Sequence, residues 1–206
     1  TEQAAIIKTG AVSELEVLEA AIARIEKVDQ EINAVIHCRF QRAREDLESG
    51  LPNGPFKGVP FLLKDSIPYK GEPYHLGMRA LKQSGYRADH DSYLVKRYKQ
   101  AGFVLLGKTN LSELELSPIT DSAAYGATTN PWDIGRTAGG SSGGAAAAVA
   151  AGFVSVAHGS DAGGSIRIPA SACGLVGLLP SRGRISLGPQ FGDRFGRRSQ
   201  DHVITR

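Results

Sequence analysis

The sequence runs Gly139-Gly140-Ser141-Ser142-Gly143-Gly144 and continues directly into an alanine-rich segment, residues 145–151. A second serine surrounded by glycines lies 24 residues after Ser141, in Asp161-Ala162-Gly163-Gly164-Ser165-Ile166-Arg167. Glycine permits a positive φ and lets a substrate approach the backbone closely. A helix that starts after such a loop directs N–H groups and its positive end at a bound group. The two loops therefore indicate hydrolytic chemistry on a carbonyl, with one serine attacking and the other assisting.

Length and composition are those of an ordinary globular protein. The chain has 206 residues, of which 22% are charged and 41% are apolar, enough for a sizeable core. It contains neither an internal repeat nor a linker-like segment, so we predict one domain over residues 1–206. The net charge of +3 is too small to indicate a nucleic-acid partner.

Cysteine usage and apolar runs bear on location. Cys38 and Cys173 are the only cysteines and form no C-x-x-C pattern, which is typical of a reducing compartment, although the two could still pair. The sequence shows neither a signal peptide nor an apolar run of about 18 residues. We therefore predict a soluble cytoplasmic protein without a membrane partner.

The first fifty residues read as helices. Leu15, Leu18, Ile22 and Ile25 recur at three- and four-residue steps and predict an amphipathic helix over 13–28. Ser13 and Glu16 form a plausible capping box at its start. A second helix is predicted over about 33–48, before a Pro- and Gly-rich loop.

From residue 58 onwards, short apolar runs alternate with helical segments. Asp91 is predicted to cap a helix over about 92–101. The other predicted elements are strands over 58–63, 103–106 and near 153–157, a buried helix over 143–151, and an apolar run near 174–179. This alternation favours an α/β fold with a mostly buried sheet.

Several short segments match the sequence patterns of other functional sites but lack the neighbouring elements or residues that those sites require. Gly102 to Thr109 fits the phosphate-loop pattern, but a strand occupies the space between its glycines. Gly139 to Gly143 fits the nucleophile elbow, but His158 follows too closely to complete that triad. His158 is interpreted as a structural residue, and Asp89-His90-Asp91 as a polar turn rather than a metal site. We predict no metal and no cofactor.

Lys64 is the remaining candidate for a base. It follows a strongly apolar strand, and desolvation favours the neutral form of a lysine, which can deprotonate a serine. The alternative is a surface lysine paired with Asp65. The residues alone leave these two interpretations equally open.

The chain resembles the N-terminal half of amidase signature enzymes. The matching motifs cover nearly the whole sequence: Gly58 to Asp65, Ala101 to Asn110, Gly126 to Asp133, Gly139 to Gly144, Gly159 to Ala170 and Gly174 to Pro180. Ser66, Ala162 and Leu179-Pro180-Ser181 depart from the common pattern without removing a candidate catalytic residue. Within the family, the chain looks most like bacterial amidases of the 6-aminohexanoate cyclic-dimer hydrolase type.

The resemblance implies a mixed central sheet with helices on both faces and a Ser–cis-Ser–Lys triad. By motif position, Ser165 is the nucleophile, Ser141 the bridging serine after a cis peptide, and Lys64 the base. The N–H groups of Ala162, Gly163, Gly164 and Ser165 would form the oxyanion hole. Arg167 could bind a substrate carboxylate, although a structural ion pair with a nearby acid is favoured.

The implied activity is hydrolysis of a small-molecule carboxamide, by a chain that could form a homodimer. Two alternatives stay open: the glutamine-hydrolysing component of a tRNA-dependent amidotransferase, and a non-catalytic amidase-like fragment. Family members are usually much longer, so the resemblance implies a partial or truncated domain, with N-terminal helices to about residue 50, a catalytic core from about 58 and the C-terminal part absent. It also implies that a further helix begins near His202.

Overall fold

The computed structural model describes residues 2–192 and 198–206. Thr1 and residues 193–197, which belong to the single domain predicted over 1–206, lie outside the described residues. The helices of the described part are α1 (Glu2–Lys8), α2 (Glu14–Ile32), α3 (Phe40–Glu48), α4 (Arg79–Gln83), α5 (Tyr93–Gln100), α6 (Gly143–Ala150) and α7 (Arg167–Ala172), with a 3₁₀ turn at Glu113–Glu115.

A six-stranded mixed sheet runs through the middle of the molecule. Its strands are β1 (Val35–Cys38), β2 (Pro60–Lys64), β3 (Val104–Thr109), β8 (Val156–Asp161), β9 (Val176–Gly177) and β10 (Gln200–Thr205). Their order across the sheet is β1-β3-β2-β8-β10-β9. β2 lies parallel to both β3 and β8, and the outer pairings are antiparallel. Two short hairpins complete the described strands: β4 (Asp121–Ser122) with β5 (Gly126–Ala127), and β6 (Thr129–Asn130) with β7 (Asp133–Thr137).

Alternate residues of the central strands enter two different cores. Leu62 of β2 packs into the core that includes α2 and α6, whereas Phe61 and Leu63 pack into the core that includes α5. Because both faces of these strands are buried, their sequences are continuous apolar runs. The prediction of a mixed sheet covered by helices on both faces is confirmed.

The first long helix begins as predicted. Ser13 accepts a hydrogen bond from the Glu16 N–H at 3.1 Å, and the Glu16 carboxylate accepts one from the Ser13 N–H at 2.8 Å. This reciprocal pair is the capping box that the sequence indicated. The helix continues to Ile32, beyond the predicted end at residue 28, and stops where Asn33 adopts a left-handed conformation with φ 56°.

The second predicted helix, over 33–48, is wrong in its first half. Residues Val35–Cys38 form β1, which pairs antiparallel with β3, and only Phe40–Glu48 is helical. The Asp29 carboxylate accepts hydrogen bonds from the N–H groups of Ala34 and Val35 at 2.8 and 3.1 Å. These bonds turn the chain out of α2, and pairing with the buried strand then outweighs the local preference.

Two further boundaries differ from the predictions. Ser92, rather than Asp91, caps α5 by accepting a hydrogen bond from the Val95 N–H at 3.1 Å. The strand predicted near 153–157 lies at Val156–Asp161, because Phe153 and Val154 pack into the helical core instead. The buried alanine-rich helix is confirmed, and all eight residues of α6 are buried.

The end of the chain also departs from expectation. Within the apolar run 174–179, only Val176–Gly177 forms a strand, at the sheet edge, where Val176 is 59% exposed. The chain adopts a strand at Gln200–Thr205, paired with β8 and β9, in place of the helix predicted near His202. Pairing with β8, which is distant in the sequence, determines this conformation. Such a pairing cannot be predicted from the residues of the segment alone.

The segment from Gly102 to Thr109 contains β3, so the phosphate-loop pattern is a strand, as interpreted. Within the described ranges, no helix has both the length and the apolar character required to span a membrane.

A buried carboxylate holds the first sheet strand to the segment after β2. Glu72 is 2.8 Å from His37 and from Arg42, and 3.2 Å from Arg39. Burial raises the pKa of Glu72, but these hydrogen bonds and positive charges outweigh it and lower the pKa from 4.5 to about 2. A carboxyl group with a depressed pKa stabilises the fold above its unfolded-state pKa, and the contribution is lost as the pH falls.

We predict that Glu72→Gln lowers the free energy of unfolding at pH 7 by about 2 kcal/mol, since charged hydrogen bonds are lost. The difference from wild type should shrink as the pH falls from 4.5 towards 2, where wild-type Glu72 takes up its proton. Urea denaturation at a series of pH values measures this difference. A constant difference between pH 7 and pH 3 would contradict the prediction.

Candidate active site

Lys64 lies at the carboxyl end of β2 and is completely buried. Its Nζ donates hydrogen bonds to Ser141 Oγ and Ser160 Oγ, each at 2.7 Å. Its backbone N–H donates to His158 Nδ1 at 3.3 Å. The amino group is therefore fixed among hydroxyl groups in a site closed to water, the environment in which a lysine can act as a base.

The alternative interpretation, a surface Lys64 paired with Asp65, is wrong. Asp65 instead lies 3.3 Å from Lys108 Nζ, and both side chains are buried. Asp65 also accepts a hydrogen bond from the His75 N–H at 3.1 Å. Successive residues of a strand point to opposite faces, so Lys64 and Asp65 face different surroundings. Burial raises the pKa of Asp65 and lowers the pKa of Lys108.

The loop before α6 presents Ser141 to Lys64. The Gly140–Ser141 peptide bond is cis, and Ser141 is completely buried. A Cβ on Gly140 would lie 2.7 Å from the backbone of Ile119, so a side chain has no room there. Thr120 Oγ1 donates to the Gly139 carbonyl at 2.9 Å and accepts from the Gly143 N–H at 3.0 Å, which holds the loop in place.

Asp161 organises the loop that carries Ser165. Its carboxylate accepts hydrogen bonds from the N–H groups of Gly164 at 2.8 Å and Ile166 at 3.1 Å. Arg167 forms two further hydrogen bonds to it, each of 3.0 Å. Burial raises the pKa of Asp161, but the Arg167 and backbone hydrogen bonds outweigh it and lower the pKa. The structural ion pair predicted for Arg167 is confirmed.

Ser165 lies next to this arrangement but is not joined to it through its hydroxyl. The Ser142 N–H donates to the Ser165 carbonyl at 3.1 Å, so backbone contacts connect the two serine loops. Within residues 2–192 and 198–206, the Ser165 hydroxyl makes no hydrogen bond, and neither do the N–H groups of Ala162, Gly163 and Ser165. The Gly164 N–H is directed at Asp161. The structure brings Lys64 and Ser141 together and leaves Ser165 half-buried beside them.

Glu115 belongs to the site and was not predicted from the sequence. Its Oε1 lies 3.1 Å from Lys64 Nζ and accepts a hydrogen bond from Ser160 Oγ. Leu114 and Glu115 have φ values of 52° and 64°, a conformation that costs a non-glycine residue about 1–2 kcal/mol. The segment Glu113-Leu114-Glu115-Leu116 gives no signal of this turn, because its residues have ordinary helical preferences.

The contacts of His158 and of the Asp89-His90-Asp91 turn fit structural roles. His158 lies inside β8, where burial foremost, and then the positive charge of Lys64, lower its pKa to about 3. His90 contacts Asp89 and Gln190, and Asp91 accepts from the Lys70 N–H at 2.8 Å.

The two cysteines, Cys38 and Cys173, are free and do not form a disulfide. No group of three His, Cys, Asp or Glu residues in the described part of the chain could hold a metal ion.

The sequence and the fold both match known proteins. The Amidase family model matches residues 16–206. The chain belongs to the amidase family. It is 55% identical over 194 residues to the 6-aminohexanoate-cyclic-dimer hydrolase of Paenarthrobacter ureafaciens, covering 94% of this chain and 39% of that protein. It is also 46% identical to the A component of the glutamyl-tRNA(Gln) amidotransferase of Prochlorococcus marinus (strain MIT 9303), covering 87% of this chain and 38% of that protein.

Solved structures agree with this assignment. A structure of 6-aminohexanoate cyclic dimer hydrolase complexed with substrate has a TM-score of 0.95 and 49% identity. The match covers 100% of this chain and 43% of the other. The resemblance to amidase signature enzymes, and to the cyclic-dimer hydrolase type among them, is confirmed. The chain spans about two fifths of the length of these amidase relatives.

We predict that Asp161→Asn lowers the free energy of unfolding by about 2 kcal/mol, because the charged bonds to Arg167 and to the loop N–H groups are weakened. Asp133→Asn is the matched control: Asp133 also binds an arginine and a turn N–H, but on the surface. Its effect should stay within about 0.5 kcal/mol. Equal effects in chemical denaturation would contradict the structural role of Asp161.

Proposed function

We propose that this chain carries the catalytic centre of an amidohydrolase that cleaves a carboxamide C–N bond through an acyl-enzyme on Ser165. The observation that carries the proposal is the 2.7 Å hydrogen bond between Lys64 Nζ and Ser141 Oγ in a fully buried site. A lysine held against a serine, next to a second serine in an open glycine loop, supports nucleophilic catalysis. Membership of the amidase family supports the same chemistry.

The proposed relay moves one proton at a time. Ser165 Oγ attacks the amide carbonyl carbon and passes its proton to Ser141, whose own proton goes to neutral Lys64. A hydroxyl group can donate and accept together, which suits Ser141 for this exchange. The proton then returns to the amide nitrogen, the C–N bond breaks and the amine leaves. Water attacks the acyl-enzyme by the same route, releases the carboxylic acid and restores Ser165.

The proposed oxyanion hole lies in the loop of Ala162, Gly163, Gly164 and Ser165. Ala162 and Gly163 are exposed, and a Cβ on Gly163 would meet nothing within 4 Å. The oxyanion could therefore reach the N–H groups of Ala162, Gly163 and Ser165. Gly164 contributes through the shape of the loop, since its N–H is directed at Asp161 and its φ is 124°. Each donor lost from such a site typically costs about 10²–10³ in rate.

The proposed substrate is a small linear or cyclic carboxamide. The relatives named as 6-aminohexanoate-cyclic-dimer hydrolases make the cyclic dimer of 6-aminohexanoate the first compound to test. Glutamine hydrolysis within an amidotransferase is the second candidate, favoured by the 46% identity to an amidotransferase component. Hydrolysis of glutamine only in the presence of a partner protein would support that candidate. A homodimer remains a prediction for the whole protein.

We predict that Ser165→Ala abolishes both amide hydrolysis and covalent labelling by a fluorophosphonate, because the attacking oxygen is removed. Ser171→Ala, an exposed serine of α7, is the control and should label like wild type. Labelling is followed by mass spectrometry of the intact protein. Labelling that persists in Ser165→Ala would contradict the proposal, and a folded wild type that never labels would support the non-catalytic alternative.

We predict that Gly163→Ala lowers hydrolysis and labelling about 10²-fold, with little effect on stability, since its methyl group would stand where the carbonyl oxygen approaches. The substitution has room in the protein, because nothing lies within 4 Å of the new Cβ and φ is not in the left-handed region. Thermal unfolding and labelling rates are measured on the same samples. Wild-type rates in Gly163→Ala would remove this loop from the oxyanion site.

A further inference from the structure

The buried charges around Lys64 form separate pairs. Asp65 lies 3.3 Å from Lys108, and Asp161 lies 3.0 Å from Arg167. The carboxylate of Glu115 lies 3.1 Å from Lys64 Nζ. A buried ammonium ion requires a nearby opposite charge or it loses its proton. Glu115 therefore supplies negative charge at the one residue that the proposed relay uses as a base.

Glu115 also contacts the hydroxyl group that shares Lys64. Ser160 Oγ accepts from Lys64 Nζ at 2.7 Å and donates to Glu115 Oε1, the oxygen atom that faces Lys64. Lys64, Ser160 and Glu115 thus form a closed triangle, and Ser141 lies on the remaining side of the amino group. The Glu115 side chain is 10% exposed, so water screens the pair only weakly.

The backbone of the 3₁₀ turn directs Glu115 into this triangle. The Leu114 N–H donates to the Leu76 carbonyl at 2.9 Å, and the Glu115 N–H donates to the Ser112 carbonyl at 2.9 Å. These bonds hold Leu114 and Glu115 in the left-handed region. Unfavourable backbone conformations of bulky residues persist where the surroundings impose them, and such positions are concentrated at functional sites.

We propose that Glu115 is a positioning residue that holds Lys64 as an ammonium ion in the resting site and so sets the pH at which the Lys64–Ser141 pair becomes a base. This inference rests on the proposed function, because it assigns Lys64 to the relay. Without the carboxylate, the neutral form of buried Lys64 would be favoured and the relay would work at lower pH. With the Glu115 carboxylate present, the Lys64 amino group is held in place, and the relay requires a higher pH to become active.

Other ionisable groups near Lys64 do not produce the same effect. His158 is neutral at working pH, because its pKa is lowered to about 3. The charged or titratable groups on the neighbouring elements are Asp65, Lys108, Asp161 and Arg167, with Glu113 exposed on the same turn, and Asp201, which lies opposite Ser160, and His202 on β10. Asp65 and Asp161 keep their own basic partners when Glu115 is changed, so the substitution isolates one charge.

The test is the rate of fluorophosphonate labelling of Ser165 as a function of pH, which needs no known substrate. Glu115→Gln should move the midpoint of the acid limb down by about one to three pH units, the usual effect of an opposite charge at this distance. Glu113→Gln, an exposed neighbour, should leave the midpoint unchanged. Glu115→Asp and Glu115→Asn have nearly the same size and differ in charge, and the midpoint of Glu115→Asn should lie below that of Glu115→Asp.

The outcomes separate the two levels of the proposal. Equal midpoints for wild type and Glu115→Gln, or for the Asp and Asn variants if Glu115→Gln does not fold, would overturn the role of Glu115. So would a rate that falls by the same factor at every pH, since that indicates a purely structural contact. Labelling that survives in Ser165→Ala would remove the proposed function and this inference with it.

Discussion

The site depends on the complete burial of one amino group. Lys64 has no access to water, so its hydrogen bonds must come from the protein, and Ser141, Ser160 and Glu115 surround its Nζ. Burial of a charge is costly unless it is paired and hydrogen-bonded. Each of these partners must therefore be held in place by its own element, and the loops around the site are organised to do so.

Strand direction explains how distant residues reach this amino group. β3, β2 and β8 are parallel neighbours, so their carboxyl ends meet at one edge of the sheet. Lys64 ends β2, Ser160 and Asp161 end β8, and the 3₁₀ turn with Glu115 follows β3. In α/β folds, ligands bind outside the carboxyl ends of strands. Antiparallel pairings add β1 on one side of these three strands, and β10 and then β9 on the other.

Elements whose conformation depends on their own few residues were predictable from the sequence. The capping box of α2, the buried helix α6 and the apolar strands β2 and β3 are short segments whose residues decide their own structure. The failures come from contacts that the local pattern does not show. β1 and β10 form by pairing with distant strands. Ser92 caps α5 because the Asp91 carboxylate accepts hydrogen bonds from the Lys70 N–H and the Lys99 ammonium group instead. The cytoplasmic location stays a prediction.

The sequence by itself determined the family, the α/β architecture and the candidates Lys64, Ser141 and Ser165, because dense motifs with fixed spacing carry that information. Only the tertiary structure decided which charges pair. In the folded chain, Asp65 pairs with Lys108, Asp161 pairs with Arg167, and Glu115 pairs with Lys64. Adjacent strand residues face opposite sides. The turn after β3, with Leu114 and Glu115 in the left-handed region, places the Glu115 carboxylate 3.1 Å from Lys64 Nζ. Such placements arise from packing between elements, which no local pattern encodes.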